Sequence, residues 1–425
     1  GVAEAARHGM RVLLTDHHLP GDSLPDAAAI VNPNLPGSRF ASRNLAGVGV
    51  AFYLMAALGR RLERDGLAAA SRIPARYLDL VALGTVADVV PLDHNNRVLV
   101  SQGLTRIRSG RAVQGLLALL QQAGRNPRRV VSSDLAFAAG PRLNAAGRLE
   151  DMSVGIECLL CDDPEEASRH AGTLDAINRE RQGIEAGMRE QAFAVVDGLS
   201  AERLPPCVSV FDRRWHQGVV GLIAARLRER CHRPAIAFAR GDAGELKGSA
   251  RSVPGIHVRD LLEAVSASHP GLIRSFGGHA MAAGLSLAED DFELFAAAAA
   301  EQLGRLYPEH EFSGVIVTDG PLPPEKLTLH FAEQLREAGP WGAGFPEPLF
   351  VGDFEILEQR RVGEGHLKMR VTPVGGSANL DAIAFRQAGP AYRGIVQLAY
   401  RLDVNEYRGV SVPQLVVEQI AAMPC

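Results

Sequence analysis

Asp16, His17 and His18 stand in a row directly after the apolar run Val12–Thr15. In an open α/β sheet, ligands bind beyond the carboxyl ends of the strands, so a carboxylate and two imidazoles placed there face a crevice. Mixed carboxylate and imidazole donors suit Mn2+ or Mg2+ better than a structural zinc, and two such ions are the common machinery of phosphodiester hydrolysis. Such a triplet alone can also be simple packing at a strand end. A second acid favours the metal: Asp88 follows Gly84 in the apolar run Leu83–Val90. An unpaired charge is costly to bury, so an acid in that context calls for a cation.

Other segments carry groups suited to an anion. Lys247–Ser252 puts Lys247, Ser249, Arg251 and Ser252 side by side, joining a planar guanidinium fork to hydroxyls. Trp215–Gly221, with His216, leads from a loop into a helix, and Gly277-Gly278-His279 reads as a diglycine before a helix start. Glycines allow close backbone approach and helix N-termini favour anions, so these segments together predict an anion-binding wall. Gly140–Leu149 carries Arg142, Asn144 and Arg148 among small residues; by itself it reads equally as a surface turn with solvated charges. Cys158 and Cys161 have C-x-x-C spacing, but no second pair or His cluster completes a zinc site, and flanking leucines favour packing on a helical face.

The elements that must hold these residues follow from composition and periodicity. The 425 residues are 46% hydrophobic and 22% charged, the profile of a folded protein with room for two or three domains. The net charge of −4 is nearly balanced, so any nucleic-acid contact needs a local basic groove. Five scattered cysteines suggest a reduced, cytoplasmic setting, and the longest apolar stretch, Val48–Leu58, is too short to span a bilayer. Residues 1–163 alternate short strands with helices over 49–64, 73–83 and 113–122, which predicts an α/β domain with a parallel sheet. The chain opens on a short helix and the strand 11–15, half of an αβ repeat, which predicts a first domain lacking its N-terminal part. Residues 164–200 read as a long connecting helix. Residues 201–308 read as a second α/β domain with strands at 207–211 and 235–239 and helices including the alanine run 296–300. Residues 309–425 read as a small antiparallel barrel with strands near 314–318, 350–359, 366–372, 380–385, 396–404 and 414–420.

Taken in order, Asp16-His17-His18, the segment Gly84–Leu92, Gly140–Leu149 and Gly277–Gly284 resemble the DHH phosphoesterase superfamily and, within it, the RecJ family of bacterial exonucleases. The resemblance extends to Gly339–Gly342, Pro346–Phe350 and the segment His366–Lys368. It implies a DHH domain, a DHHA1-type domain and a C-terminal OB-like barrel that grips a strand. By the same resemblance, Asp16, His17 and Asp88 are metal ligands, with His18 completing the catalytic group. Arg142, Asn144 and Arg148 line the path by which DNA enters, and His216, Ser249, Arg251 and His279 contact the nucleotide. The implied cofactor is Mn2+ or Mg2+, two ions in the complete protein. The implied partner is single-stranded DNA, with a RecQ-type helicase and a single-strand-binding protein beside it, and no membrane. Relatives often carry Asn where this chain has Phe345. The family's D-x-D motif and second-motif aspartate have no counterpart here, from which residues 1–425 alone are expected to lack hydrolysis.

The implied activity is metal-dependent 5′-to-3′ exonuclease action on single-stranded DNA, in recombination and repair. A small-substrate phosphodiesterase or pyrophosphatase of the same superfamily is one alternative, disfavoured by the barrel and the connecting helix. A non-catalytic single-strand-binding scaffold is another, disfavoured by the intact Asp16, His17, His18 and Asp88.

Overall fold

The computed structural model describes residues 1–425 except 22, 199–203, 242–243, 364, 386, 388–390, 408 and 423–425. The boundary expected at 200/201 and the end of the connecting helix near Leu199 lie outside the described residues. The chain forms two compact units, Gly1–Arg142 with Gly155–Gly172 and Ile316–Cys425, and Leu143–Val154 with Thr173–Val315. No described helix is long and apolar enough to cross a membrane.

The first unit opens with α1 (Val2–Arg7), β1 (Leu13–Thr15) and β2 (Ala29–Val31). The two strands pair in parallel, Leu13 with Ala29 through Thr15 with Val31. Helices then dominate: α2 (Gly47–Arg64), α3 (Leu78–Ala87), α4 (His94–Arg108), α5 (Gln114–Gln122), the single turn α6 (Ser132–Asp134), α7 (Gly140–Leu149) and α8 (Ser153–Leu160). The helix expected from Ile73 begins later. Pro74 opens a 3-10 turn to Tyr77 instead, and α3 starts at Leu78. α3 is apolar on every face and buried. Its one buried acid, Asp79, accepts the Val113 N–H at 2.7 Å and lies 3.4 Å from Arg106, which offsets the cost of burying its charge. Gly140–Leu149 is helical rather than a turn. Burial of Leu143, Ala145 and Ala146 holds it, and it runs on without a break from the π-turn Leu135–Ala139, which precedes Pro141, a residue with no N–H to give to that turn. α9 (Pro164–Asp197) is the long helix expected from the acid-rich start at Asp163, whose carboxylate accepts the Glu165 and Glu166 N–H groups.

The second unit carries a five-stranded sheet in the order β3-β4-β5-β7-β6. Its strands are β3 (Val208–Phe211), β4 (Ala235–Arg240), β5 (Glu245–Arg251), β6 (Ser275–Gly278) and β7 (Ala282–Ala288). α10 (Val220–Cys231) makes the crossover between parallel β3 and β4, while α11 (Val258–Ser268) and α12 (Phe292–Leu306) cover an apolar core around Phe238, Leu261 and Phe295. Gly277–Gly284 departs from expectation: it is a β-hairpin and contains no helix start. Gly278 has φ +147, and a Cβ there would lie 2.4 Å from the Ala282 carbonyl oxygen, so the turn needs glycine. The small residues after it alternate along β7 and pair with β5 from Arg251–Ala282 to Glu245–Ala288.

In the first unit, residues 350–422 close a five-stranded barrel in the order β10-β12-β11-β8-β9, antiparallel as expected except at its closure, where β10 and β12 pair in parallel. The strands are β8 (Phe350–Val362), β9 (His366–Pro373), β10 (Leu380–Ala384), β11 (Ile395–Tyr407) and β12 (Val410–Ala422). Alternate residues such as Phe354, Met369, Leu398 and Leu415 fill the interior. The strand expected at 314–318 is not formed. Val315 and Val317 are exposed, and pairing with β8 begins only at the Pro321–Val351 bridge. α13 (Leu329–Ala338), not foreseen, is capped by the Thr328 hydroxyl and lays Leu329, Phe331 and Leu335 on the barrel core.

Candidate active site and phosphate cradle

At the carboxyl end of β1 the chain turns sharply through Asp16. The Asp16 N–H still pairs with the Val31 carbonyl, while its Oδ1 accepts the N–H groups of His17 at 2.7 Å and His18 at 3.1 Å and meets His18 Nδ1 at 2.8 Å. Burial works to raise the Asp16 pKa, but these bonds outweigh it and hold the carboxyl below its ordinary value. Asp16 is therefore an anionic cap for the turn, and His17 is left to point elsewhere. Its Nε2 lies 3.5 Å from Asp88 Oδ2.

Asp88 is not buried as its apolar context predicts; its side chain is 44% exposed. It stands at the C-cap of α3, with its N–H on the Gly84 carbonyl. The helix dipole is negative at that end, which costs an anion about 0.3–1 kcal/mol. What favours a cation beside Asp88 is the helix end rather than desolvation.

Two residues not foreseen from sequence hold the histidine pair. Asn34 Nδ2–H donates to the His17 carbonyl at 2.7 Å, and Asn32 Nδ2–H to the His18 carbonyl at 2.8 Å. Both come from the segment leaving β2, whose register with β1 sets their reach. The available signal was the polar Val31-Asn32-Pro33-Asn34 run after an apolar strand. Across the site, Asp93 accepts the Ser42 hydroxyl at 2.6 Å and the Asn96 N–H at 2.9 Å, starting α4 just beyond Asp88. Among the described residues, no group of three or more His, Cys, Asp or Glu is arranged to hold a metal ion. The structure instead forms two pairs, His17 with Asp88 and Asp16 with His18.

In the second unit, the N-terminus of α10 gathers four of the predicted residues. No side chain caps this end. Arg148 Nη1–H donates to the Gly218 carbonyl at 3.1 Å, and His216 Nδ1 accepts the Gly218 N–H at 3.1 Å. Arg251 Nη1–H donates to Ser249 Oγ at 2.9 Å, and a Cβ on Gly221 would lie 3.0 Å from Arg251 Nη2 and 3.1 Å from Ser249 Oγ. Glycine at 221 thus lets the helix end approach both groups. Burial lowers the Arg251 pKa, and the charges of Arg148 and Arg228 push it the same way. Clustered guanidiniums beside a positive helix end are relieved by an anion. Arg181 and Arg226 stand nearby on Glu185, a buried ion-pair network that the sequence did not disclose. His279 lies in the β6–β7 turn rather than at a helix start, at the same end of the sheet as Arg251 because Arg251 pairs with Ala282.

Arg142 and Asn144 share α7 with Arg148; Arg142 bends back onto the Ala138 carbonyl at 2.7 Å, and Asn144 is exposed. The segment Leu135–Ala139 ahead of them is a π-turn. Cys158 is buried with its Sγ 3.9 Å from the Gly115 carbonyl, and burial pushes its thiol up to about 11, the behaviour of a packing residue.

Fold and site together define a DHH-type phosphoesterase carrying a DHHA1 domain and an OB barrel. Family models agree: the DHH family N-terminal domain matches residues 1–85, the DHHA1 domain 204–305 and the RecJ OB domain 318–419. The chain is 53% identical over 99% of its length to the single-stranded-DNA-specific exonuclease RecJ of Dickeya dadantii, of which it covers 75%. It also matches crystal structures of RecJ from Thermus thermophilus in complex with Mn2+ (TM-score 0.81, 30% identity) and with Mg2+ (TM-score 0.77, 30% identity). All of this chain superposes on the first and 98% on the second, and it spans 60% and 61% of those solved chains. The chain belongs to the RecJ family.

Proposed function

We propose that this chain carries the metal-site turn, phosphate cradle and strand-gripping barrel of a 5′-to-3′ exonuclease specific for single-stranded DNA. The observation that carries the reading is the approach of His17 Nε2 to Asp88 Oδ2 at 3.5 Å, at a helix end whose dipole disfavours the acid, in a RecJ-family chain. An imidazole nitrogen and a carboxylate oxygen facing one point are a fitting part of a divalent-cation donor set. The Mn2+ and Mg2+ complexes of the Thermus thermophilus relative support that choice. His17 and Asp88 would hold the ion, with Asp16 and His18 beside them, and the ion would supply charge stabilisation at the scissile phosphate.

The remaining work falls to the chain itself. Asp16 fixes the turn through three hydrogen bonds, and Asn32 and Asn34 lock the carbonyls of the histidine pair, so His17 enters the reaction without reorganising. Ser249, Arg251, Arg148, His216 and His279 hold a phosphate of the strand. Arg142 and Asn144 line its approach. The closed barrel gives the extended strand a surface that a small phosphate ester does not need, which disfavours the small-substrate reading. The cell compartment is the cytoplasm and the process recombination and repair, where a RecQ-type helicase and a single-strand-binding protein are the partners the family resemblance implies.

Calorimetric titration with MnCl2 tests the reading: the parent chain takes up the ion, and His17→Ala or Asp88→Ala loses it while binding oligo-dT as before. Equal uptake by parent and variants would remove these residues from the metal site.

A further inference from the structure

The Ala343 carbonyl accepts the Leu92 N–H at 2.6 Å, a bond between segments about 250 residues apart in the chain. It belongs to a clip formed by residues 339–345. The clip closes on itself, with the Gly342 N–H on the Phe345 carbonyl at 2.9 Å and the Phe345 N–H on the Gly342 carbonyl at 3.1 Å. The Trp341 and Phe345 rings stack at 5.0 Å and 17°, and the Arg97 guanidinium of α4 lies 4.0 Å from the Phe345 ring centre. Trp341 is tied on both sides. Its Nε1–H donates to the Leu335 carbonyl of α13 at 2.9 Å, and its own carbonyl accepts the Ser132 hydroxyl at 2.7 Å.

The clip presses on Pro91 and Leu92. A Cβ on Gly342 would lie 2.7 Å from Leu92 Cδ1, and one on Gly344, where φ is +69, would lie 3.2 Å from Pro91 Cβ. Pro91 follows Asp88 by only three residues. Between them Val89 has φ +59, a left-handed conformation that a β-branched residue keeps only when its surroundings hold both flanks. α3 holds one flank. The other is held by the Asn96 Nδ2–H on the Pro91 carbonyl at 2.9 Å and by the clip.

We propose that residues 339–345 are a positioning element for Asp88, with Phe345 as its anchor, so that a loop beside the barrel sets the geometry of the metal-site carboxylate. The proposal rests on the reading of Asp88 as a metal ligand. Phe345 matters most because it joins the ring stack to the Arg97 cation, and neither contact survives truncation.

The test compares Phe345→Ala, Phe345→Tyr and Asp88→Ala in the full chain, by hydrogen exchange of the peptide spanning 86–95 and by titration with MnCl2. In Phe345→Ala, exchange at Leu92 and its neighbours rises about 10-fold and Mn2+ affinity falls about 10-fold, while oligo-dT affinity is unchanged. Phe345→Tyr, which keeps the ring, restores both. If Phe345→Ala does not fold, Arg97→Ala, which removes only the cation over the ring, moves both readouts in the same direction by about 2–5-fold. Unchanged exchange overturns the proposal. Faster exchange with unchanged Mn2+ affinity also overturns it, since the clip would then steady the turn without positioning the acid. Mn2+ binding retained by Asp88→Ala overturns the metal reading, and the proposal with it, through a variant that leaves the clip intact.

Discussion

Asp88 stands at the C-terminal end of α3, where the helix dipole is negative, and Arg251 lies beside the N-terminal end of α10, where it is positive. Each side chain has the same sign as the helix end next to it, so each helix end favours a ligand of the opposite charge. Beside the first, the His17 ring lies 3.5 Å from the Asp88 carboxylate. In the second, the charges of Arg148 and Arg228 add to that of Arg251, although Arg228 also reaches Glu229 at 3.4 Å. Under the proposed function, a ligand relieves each repulsion, and the two ligands have opposite charge, a divalent cation and a phosphate. The supports differ as well. The cationic region draws on α7, β5, the β6–β7 turn and the N-terminal end of α10, whereas the anionic turn is held by Asn34 beyond β2 and Asn96 of α4, which donate to backbone carbonyls, and by the Ala343 carbonyl of the 339–345 loop, which accepts the Leu92 N–H.

Removing a ligand from the anionic turn should have the largest effect. In a protein that also carries the family's N-terminal acidic motifs, His17→Ala or Asp88→Ala should lower the rate of nucleotide release from a labelled oligonucleotide about a thousandfold or more. Single-strand affinity should persist. Removing a cation from the cradle should act on binding instead. Arg251→Ala should weaken oligo-dT affinity about 10–100-fold, and its log–log salt dependence should become shallower by about one. A shallower slope in Asp88→Ala instead would invert the division between the two regions.

A smaller effect is expected behind the turn. Asn34→Ala frees the His17 carbonyl and should lower Mn2+ affinity about 10-fold at a stability cost of about 1–2 kcal/mol, read by calorimetry and thermal melting. The smallest concerns Glu347, which lies just ahead of β8 and 4.0 Å from Arg401 of β11. Burial, with Asp403 adding repulsion, pushes its carboxyl up to about 7. The folded state then binds the Glu347 proton more tightly than the unfolded chain does. Stability from this group is therefore lost as pH rises from the ordinary glutamate range to about 7 and stays lost above it. Glu347→Gln should melt near the parent at pH 5 and above it at pH 8; coincident melting at both values would remove this half-buried carboxyl from the barrel's pH response.

The Asp16-His17-His18 triplet was legible because it is contiguous and follows a strand, and Asp88 because an acid stands out in an apolar run. The reason given for Asp88 was nevertheless incomplete, since sequence context suggests burial and cannot show that α3 ends there. Gly277–Gly284 was misread because alanines and glycines fit a helix start and a small-residue strand equally well; pairing with β5 decides between them. Asn32 and Asn34 escaped notice because their partners are backbone carbonyls more than a dozen residues away, which no side-chain pattern records. The strands from Phe350 onward are legible from alternation, but the same alternation at 314–318 forms no strand, and α13 is hidden among prolines and charges that read as loop.

The division of labour is tested most directly by measuring Mn2+ uptake and oligo-dT binding in parent, Asp88→Ala and Arg251→Ala chains under one buffer. Asp88→Ala should lose Mn2+ uptake and keep the single strand, and Arg251→Ala should do the reverse. If either variant lost both, or if the two losses were exchanged, the assignment of one region to the cation and the other to the phosphate would be wrong.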